Sequence, residues 1–492
     1  MTTMRHRVHG AVAEVLHRTI ARVVLLAAFS FFATTTAFAD APPAPSVLER
    51  IVELNPHLKD ADPRGLPMKL RSIRETPYEF FRGTADLYYH WCKAHCTDWL
   101  DDAGSNVLLH GDVHPGNTGT FRSPGENGDI HFSLVDLDEA FHGPFQFDLL
   151  RAAVSLQFAA GEADLTLTPE ELRTITNLMC EEYARALTGG VGDRELSAGY
   201  KTVRKLVKKA ADEDAAEYFG NYVFDGDRPR LRRIVLKKGQ ASDLLDPVDA
   251  RTRESILAAL WRGHFDGPQA ASRRAAIGCR SEEDFGGAVL DIAEWTRLSS
   301  AGSQGLSKFI VLLRLDQKTN GSPHLLLQLK EEPACAAERA SLIPAEKNAD
   351  RGEFVARAHL ALQCHRSDWI GSVNIGGRSY LIRPKSPFAK EPSRKDVNKP
   401  AELRDMSRLL GGLLGRGHAA GIGNDAARCQ RIAGLARALP PVLALRCREV
   451  HDQFVKDHRS LCEDRRFKDM AERADAYLNR RINDGDKRAA ND

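Results

Sequence analysis

Apolar and polar positions divide the chain into five textures. The first runs through residues 1–39: Arg5, Arg7, Arg18 and Arg22, then the short apolar run Val23 to Phe32, then Ala37 and Ala39 flanking Phe38. A cationic flank, a short apolar core and an A-x-A site together predict a secretory signal. The run is short for a membrane span, and no cysteine directly follows it to receive a lipid. The expected location is the periplasm. The alternative is the inner membrane, held by an uncleaved signal. No later segment is long and apolar enough to cross a bilayer.

Residues 40–100 combine a Pro/Ala-rich linker, Asp40 to Ser46, with a helical lead-in that is clearest from Arg74 to Leu100. Within residues 101–284, the apolar run Asn106 to Leu109 predicts a short buried strand. It opens directly into His110-Gly111-Asp112-Val113-His114-Pro115-Gly116-Asn117. A second strand, Ile130 to Val135, runs into Asp136-Leu137-Asp138-Glu139. Gly143-Pro144 breaks the chain before a helix containing Asp148 and Leu149, and from Thr168 to Leu260 the pattern is helical and charged.

Near Gly287 the pattern changes. Leu306 to Leu315 and Leu325 to Leu329 read as strands about the turn signal Asn320-Gly321. Gly352 to Gln363 reads as helix, and Ser372 to Ile382 as a hairpin about Gly376-Gly377. Residues 285–385 are therefore the β-rich segment. Residues 386–492 begin in a Pro/Lys-rich loop and return to helix. The expected class is α+β with a helical majority.

Composition narrows the partners. The 492 residues are 42% hydrophobic and 28% charged, which fits a folded protein of two or more lobes and excludes wholesale disorder. A net charge of +2 is too balanced for nucleic acid as the main partner. The basic run Lys205 to Lys209 reads as a solvated helix face. The cysteines, from Cys92 to Cys462, are scattered; export would permit disulfides, but no pairing can be read. Cys92 and Cys96, at i,i+4 spacing, read as helix packing rather than as metal ligands.

The segment from His110 to Asn117 has the spacing His-x-Asp-x-x-x-x-Asn. Phosphoryl transfer is mostly positioning and charge neutralisation. It needs one carboxylate to accept a hydroxyl proton and one amide oxygen, a few residues on, to help hold a metal. Asp112 and Asn117 have that spacing, on a loop that follows a strand. It also needs a carboxylate at the end of the next strand for Mg²⁺ bridging the phosphates, and Asp136 stands there.

His110 to Asn117 resembles the catalytic loop of aminoglycoside phosphotransferases and choline-kinase-like enzymes. Asp136 to Asp148 resembles the metal segment that follows it in those families. The resemblance implies Asp112 as catalytic base, with His110 and His114 in its loop. It implies Asn117 and Asp136 as metal ligands, with Asp138 as a second carboxylate or a turn residue. Asp148 would hold the loop from behind. Tyr78-Glu79-Phe80-Phe81-Arg82-Gly83, the loop itself, Asp136 to Glu139 and Gly302-Ser303-Gln304-Gly305 also resemble, in the same order, a bacterial family catalogued as domain of unknown function 2252. That family is grouped with protein-kinase-like folds.

The order of parts is unusual for that fold. The residues before His110 read as helix and cannot supply a β-rich small lobe. Such a lobe comes later: Gly302, Ser303 and Gly305 enter a strand where backbone N–H groups cradle phosphates, and Lys330 ends the next strand, where a kinase places its phosphate-pairing lysine. The Leu-rich helix from Met406 to Ala419, with His418 near its end, resembles the helix that precedes the catalytic loop in aminoglycoside phosphotransferases. The expected architecture is thus a two-lobed protein-kinase-like fold, circularly permuted. Glu353, with Glu338 as rival, is the expected ion-pair partner of Lys330.

The functional expectation is an ATP-dependent phosphotransferase using Mg²⁺ to phosphorylate a small-molecule or protein hydroxyl acceptor. The alternative is a catalytically silent, pseudokinase-type binding protein of the cell envelope, where ATP is scarce. A metal hydrolase built on His110, Asp112, His114 and Asp136 lacks further ligand pairs downstream, and no G-x-x-x-x-G-K-[ST] marks a P-loop.

Overall fold

Leu409 to Leu414 lie in the middle of one long helix, Pro400–Gly421. Its contact with helix Pro169–Leu187 organises the helical part of the molecule. Gly411 and Gly415 are four residues apart and so share one face of the helix. A Cβ at either would overlap the backbone carbonyl of Met179 or of Tyr183. The two helices therefore meet backbone to side-chain-free backbone. Gly415→Leu should force them apart and cost on the order of 3 kcal/mol or more, as overpacking does. The check is a lower urea midpoint with an unchanged slope.

The computed structural model describes residues 45–489, apart from 59–62, 123–127, 190–198, 225, 238–239, 299–303, 320–321, 346–349 and 364–366. The predicted signal and the Asn320-Gly321 turn lie outside the described residues. Val47–Asp492 forms one compact unit.

Two short ladders sit within the helical part. β1 (Asn106–Leu109) pairs antiparallel with β4 (Phe141–Pro144), and β2 (Thr118–Arg122) with β3 (Ile130–Leu134). β1 and β3 are the two strands read from the apolar runs. The helix that follows, Gln146–Gly161, is buried along almost its whole length. One hydrophobic core draws side chains from Val47 to Leu206 and again from Cys335 to Phe467. Opposite ends of the sequence thus share one interior.

The second body is an antiparallel sheet. After a short hairpin of β5 (Val223–Phe224) and β6 (Arg230–Leu231) come β7 (Ile234–Lys237), β8 (Gln240–Pro247), β9 (Val289–Arg297), β10 (Lys308–Thr319), β11 (Ser322–Glu331), β12 (Gly371–Ile375) and β13 (Arg378–Pro384). The last seven form one sheet in the order β12-β13-β11-β10-β9-β8-β7. The sheet therefore begins well before residue 285, inside the stretch expected to be helical. β7 is four residues long, and β8 has no apolar alternation. β8 takes strand geometry from pairing with β9, and β7 from pairing with β8, rather than from their own pattern. The Gly376-Gly377 turn is as expected: both residues have positive φ, which the tight hairpin turn requires.

The sheet has two apolar faces. Val311, Leu313, Leu327, Leu329 and Ile382 pack under helix Ala250–Leu260. Leu245, Ala293, Trp295, Ile310, Leu312 and Leu326 line the other face. Side chains alternate along a strand, so the registers place Lys308, Gln328, Lys330 and Arg383 on this second face as well.

His264 is buried beside Gly371, and burial, reinforced by Arg273, pushes its imidazole down to about 3 from an ordinary 6.5. The unfolded ring takes a proton that the folded ring refuses, so stability is lost as pH falls below the unfolded value. Denaturation midpoints should decline from pH 6.5 downwards, before carboxylate protonation adds its own loss. His264→Gln should flatten the upper part of that decline.

Candidate active site

The chain leaves β1 at Leu109 and turns sharply. Gly111 has φ +82°, and a Cβ there would overlap the carbonyl oxygen of Glu139, so the turn lies directly against the segment after β3. Asp148 holds the turn from behind. Its carboxylate is fully buried and accepts from His110 N at 2.7 Å and Gly111 N at 3.0 Å. His418 Nε2 lies 3.1 Å from the same carboxylate, and its Nδ1 is 3.0 Å from the Tyr183 hydroxyl. The Leu-rich helix thus reaches the loop through one histidine.

His110 is used up within the loop. Its Nδ1 accepts from Asp112 N at 3.1 Å, which leaves Nε2–H to donate to Val135 O at 3.0 Å. It joins the two motif segments and has no nitrogen left for substrate. Asp112 Oδ1 accepts from Arg151 Nε at 2.7 Å and pairs with the Nη2 end of the guanidinium at 2.6 Å, while Nη2 donates to Phe81 O at 3.1 Å. Arg151 is wholly buried, 4.2 Å from the Phe81 ring and 4.9 Å from the Tyr88 ring. Burial raises the Asp112 carboxyl above its usual range, against the pull of Arg151. Asp112 Oδ2 lies 3.9 Å from His114 Nε2, which accepts from Arg82 Nε at 3.4 Å. Burial, with Arg82 and Arg151, keeps the His114 imidazole well below its ordinary pKa. Asn117 Nδ2 donates to Asp112 O at 2.9 Å, so its amide oxygen is the atom left for a ligand.

Asp136 stands at the end of the strand after the loop with φ +62°, a strained backbone for a non-glycine residue. Its Oδ1 is 3.3 Å from Lys330 Nζ and 3.4 Å from Arg383 Nη2. Burial would raise this carboxyl, but the two cations outweigh it and hold it far below its usual range. Lys330 also forms an ion pair with Asp138, whose Oδ1 is buried without a hydrogen-bond partner among the described residues. Arg351 fixes the segment by donating to the carbonyls of Asp138 at 2.7 Å and Ala140 at 2.6 Å. Asp112, Asn117, Asp136 and Asp138 line one cleft together with Lys69, Arg82, Glu332 and Arg339.

Residues 61–464 match the family described as "Uncharacterized protein conserved in bacteria (DUF2252)". The chain belongs to the DUF2252 family. No curated protein and no solved structure matches it.

In this DUF2252 chain Asp112 and Asn117 of the loop line the cleft with Asp136 and Asp138, but the lysine's partner differs from the one expected. Glu353 is half-exposed on helix Arg351–Leu362 and pairs with Arg357 one turn on. It does not reach Lys330, whose carboxylate partners are Asp136 and Asp138. Glu338 lies on the short helix Ala336–Arg339. Gly302 and Ser303 fall outside the described residues. Gly305 has φ +85°, and a Cβ there would come within 2.7 Å of Gly65 O, so the loop into β10 lies close against the lead-in.

Several residues in and behind the cleft carried no motif. Arg151 sits three residues after Asp148 on one helix, hence on the same face, and that spacing was the available signal. Lys69 and Asp86 form a buried pair at 3.9 Å, and Arg339 bridges Asp86 and Glu139. Burial pushes the Glu332 carboxyl up to about 7, against Lys330 and Arg351. Burial, aided by Arg297, pushes the Lys308 ammonium down to about 7.

Among the described residues no three His, Cys, Asp or Glu side chains form a metal cluster, and no helix is long and apolar enough to cross a membrane. The donors that do converge are hard oxygens: the Asn117 amide, Asp136, and the unpartnered Oδ1 of Asp138. That set suits Mg²⁺, which is bound by one or two carboxylates plus water and phosphate. Cys92 and Cys96 are buried in the helical core, and the described cysteines form no disulfide.

Proposed function

We propose that the cleft transfers a phosphoryl group from a Mg²⁺-bound nucleotide to a hydroxyl acceptor, on a circularly permuted protein-kinase-like fold. One observation carries the reading. Lys330 Nζ lies 3.3 Å from Asp136 Oδ1 across 194 residues of sequence, and Asp136 lines one cleft with Asp112 and Asn117. The order of parts supports the permutation: the loop and metal segment come first, the lysine-bearing sheet second, and the His418 helix that braces the loop last.

The roles follow from the atoms. Asp112 Oδ2 faces His114 and takes the acceptor's hydroxyl proton, while Arg151 fixes the carboxylate through Oδ1. A base works by position first and pKa second, and a raised carboxyl is the better proton acceptor. Asn117 Oδ1, Asp136 and Asp138 would hold Mg²⁺, which neutralises charge on the phosphates when bound. Lys330 turns its ammonium from these carboxylates to phosphate oxygens. Asp148, His110 and His418 keep the loop in place.

A second reading, a binding protein without turnover, has its own support: Arg151 occupies one oxygen of Asp112 with a hydrogen bond and an ion pair, which favours the ionised carboxylate and opposes its taking up a proton. Calorimetry with Mg²⁺ and ATP separates the outcomes. Asp136→Ala should weaken Mg²⁺-dependent nucleotide binding at least about tenfold, as loss of a ligand carboxylate does. Unchanged binding in that variant would remove Asp136 from the site. Binding by the intact chain with no ATP consumed against any acceptor pool would establish the second reading.

A further inference from the structure

Lys308 is a buried cation placed beside another cation. It opens β10 and stands directly across from Lys330 on β11. Directly opposed residues of an antiparallel pair project from the same face with Cβ atoms about 5 Å apart, and like charges there repel. Lys330 is answered by Asp136 and Asp138. Lys308 is only 3% exposed, and among the described residues no carboxylate lies within ion-pair distance of it. What faces its ammonium is the Trp295 ring, 5.6 Å away. The other charged groups nearby are Arg297, Asp136, Asp243 and Arg383. Asp243 is already committed to Trp295 Nε1 at 2.6 Å and to the Tyr222 hydroxyl at 3.2 Å.

Arg383 extends the same patch on the other side. It is in register with Gln328 on β11 and sits on the face that carries Lys330. Its guanidinium lies 3.4 Å from Gln328 Oε1 and 3.4 Å from Asp136 Oδ1. The three cations thus stand on three adjacent strands, β10, β11 and β13, with the one carboxylate Asp136 shared by two of them. A buried ammonium is stable only when an opposite charge answers it, and among the described residues none forms an ion pair with Lys308. Two strand spacings cover about 10 Å, more than one phosphate group spans. The loop that ends at Gly305 enters β10 just before Lys308.

We infer that Lys308, Lys330 and Arg383 form a receptor for a chain of linked phosphates, in which Lys308 and Arg383 hold the phosphoryl donor beyond the single contact made by Lys330. This rests on the proposed function and names the part of the donor that is recognised. The patch contacts phosphate, so the donor is a nucleoside triphosphate or an inorganic oligophosphate.

The test is calorimetry on the full chain in Mg²⁺, with ATP, sodium tripolyphosphate and inorganic phosphate as separate probes. Lys308→Met and Arg383→Gln should each weaken binding of ATP and of tripolyphosphate about tenfold or more, the loss expected for one charge-assisted contact. Lys308→Arg should restore most of it. The melting temperature of Lys308→Met without ligand should hold or rise, because an unanswered buried charge has been removed. Tripolyphosphate binding as tightly as ATP would point to an inorganic donor, and tighter ATP to a nucleotide; both support the receptor. Wild-type affinity in Lys308→Met, with binding lost in Asp136→Ala, would overturn the inference and leave the proposed function standing. Inorganic phosphate binding as well as tripolyphosphate would also overturn it. A wild-type chain that binds neither ATP nor tripolyphosphate would remove the proposed function itself.

Discussion

Asp112→Asn should retain Mg²⁺–ATP binding within about twofold and lower ATP turnover by about 10²- to 10⁴-fold, the range a general base contributes. Asparagine is the informative substitution because it keeps an oxygen for Arg151. Alanine would strand a guanidinium that is 0% exposed, and an uncompensated buried charge destabilises by about 3–5 kcal/mol. A turnover loss in the alanine variant would then mix chemistry with unfolding. The measurement is single-turnover ATP consumption beside a calorimetric binding isotherm. Asp112→Asn with unchanged turnover would move the proton acceptor to another group, and Glu332, raised to about 7 and lining the same cleft, would be next to test.

Asp148→Ala should be the most damaging single change to the fold around the site. It removes the acceptor for His110 N, Gly111 N and His418 Nε2 in a place with no access to water. Buried donors left without partners cost about 1–3 kcal/mol each. A loss of roughly 4 kcal/mol is expected, read as a lower denaturant midpoint, with nucleotide turnover lost as well. Asp148→Asn should fall between the two, since it can accept from one backbone N–H but presents an NH₂ to the other donors. An unchanged midpoint in Asp148→Ala would mean that the loop is held by β1 and β4 pairing alone.

The parts legible in the sequence were those whose chemistry is local. The strand before His110, the strand before Asp136 and the Gly376-Gly377 hairpin each carry their signal within a few residues. What stayed hidden depends on distant pairing. β8 becomes a strand because β9 accepts it, and β7 because β8 then does. Glu353 has the right helix but faces away from the sheet, and Lys330 is answered instead by carboxylates from the metal segment. Arg151 looked like any charge on a helix until burial against Phe81 and Asp112 gave it a partner. Lys308 lies unremarked inside the strand read from Leu306 to Leu315, and only the folded sheet shows it as a buried cation.

The core shared by the two ends of the chain has a consequence for how the protein is made. The loop from His110 to Asn117 leaves the ribosome roughly three hundred residues before His418, the side chain that braces it through Asp148. Proteins dominated by such long-range contacts fold slowly, because loop-closure entropy is lost before the contacts form. Until the last helices arrive, the apolar faces of Gln146–Gly161 and Pro169–Leu187 have no Leu-rich partner to cover them. During synthesis the chain should therefore depend on chaperones that hold unfolded segments, and a product cut short before Gly421 should have neither a stable interior nor a working cleft.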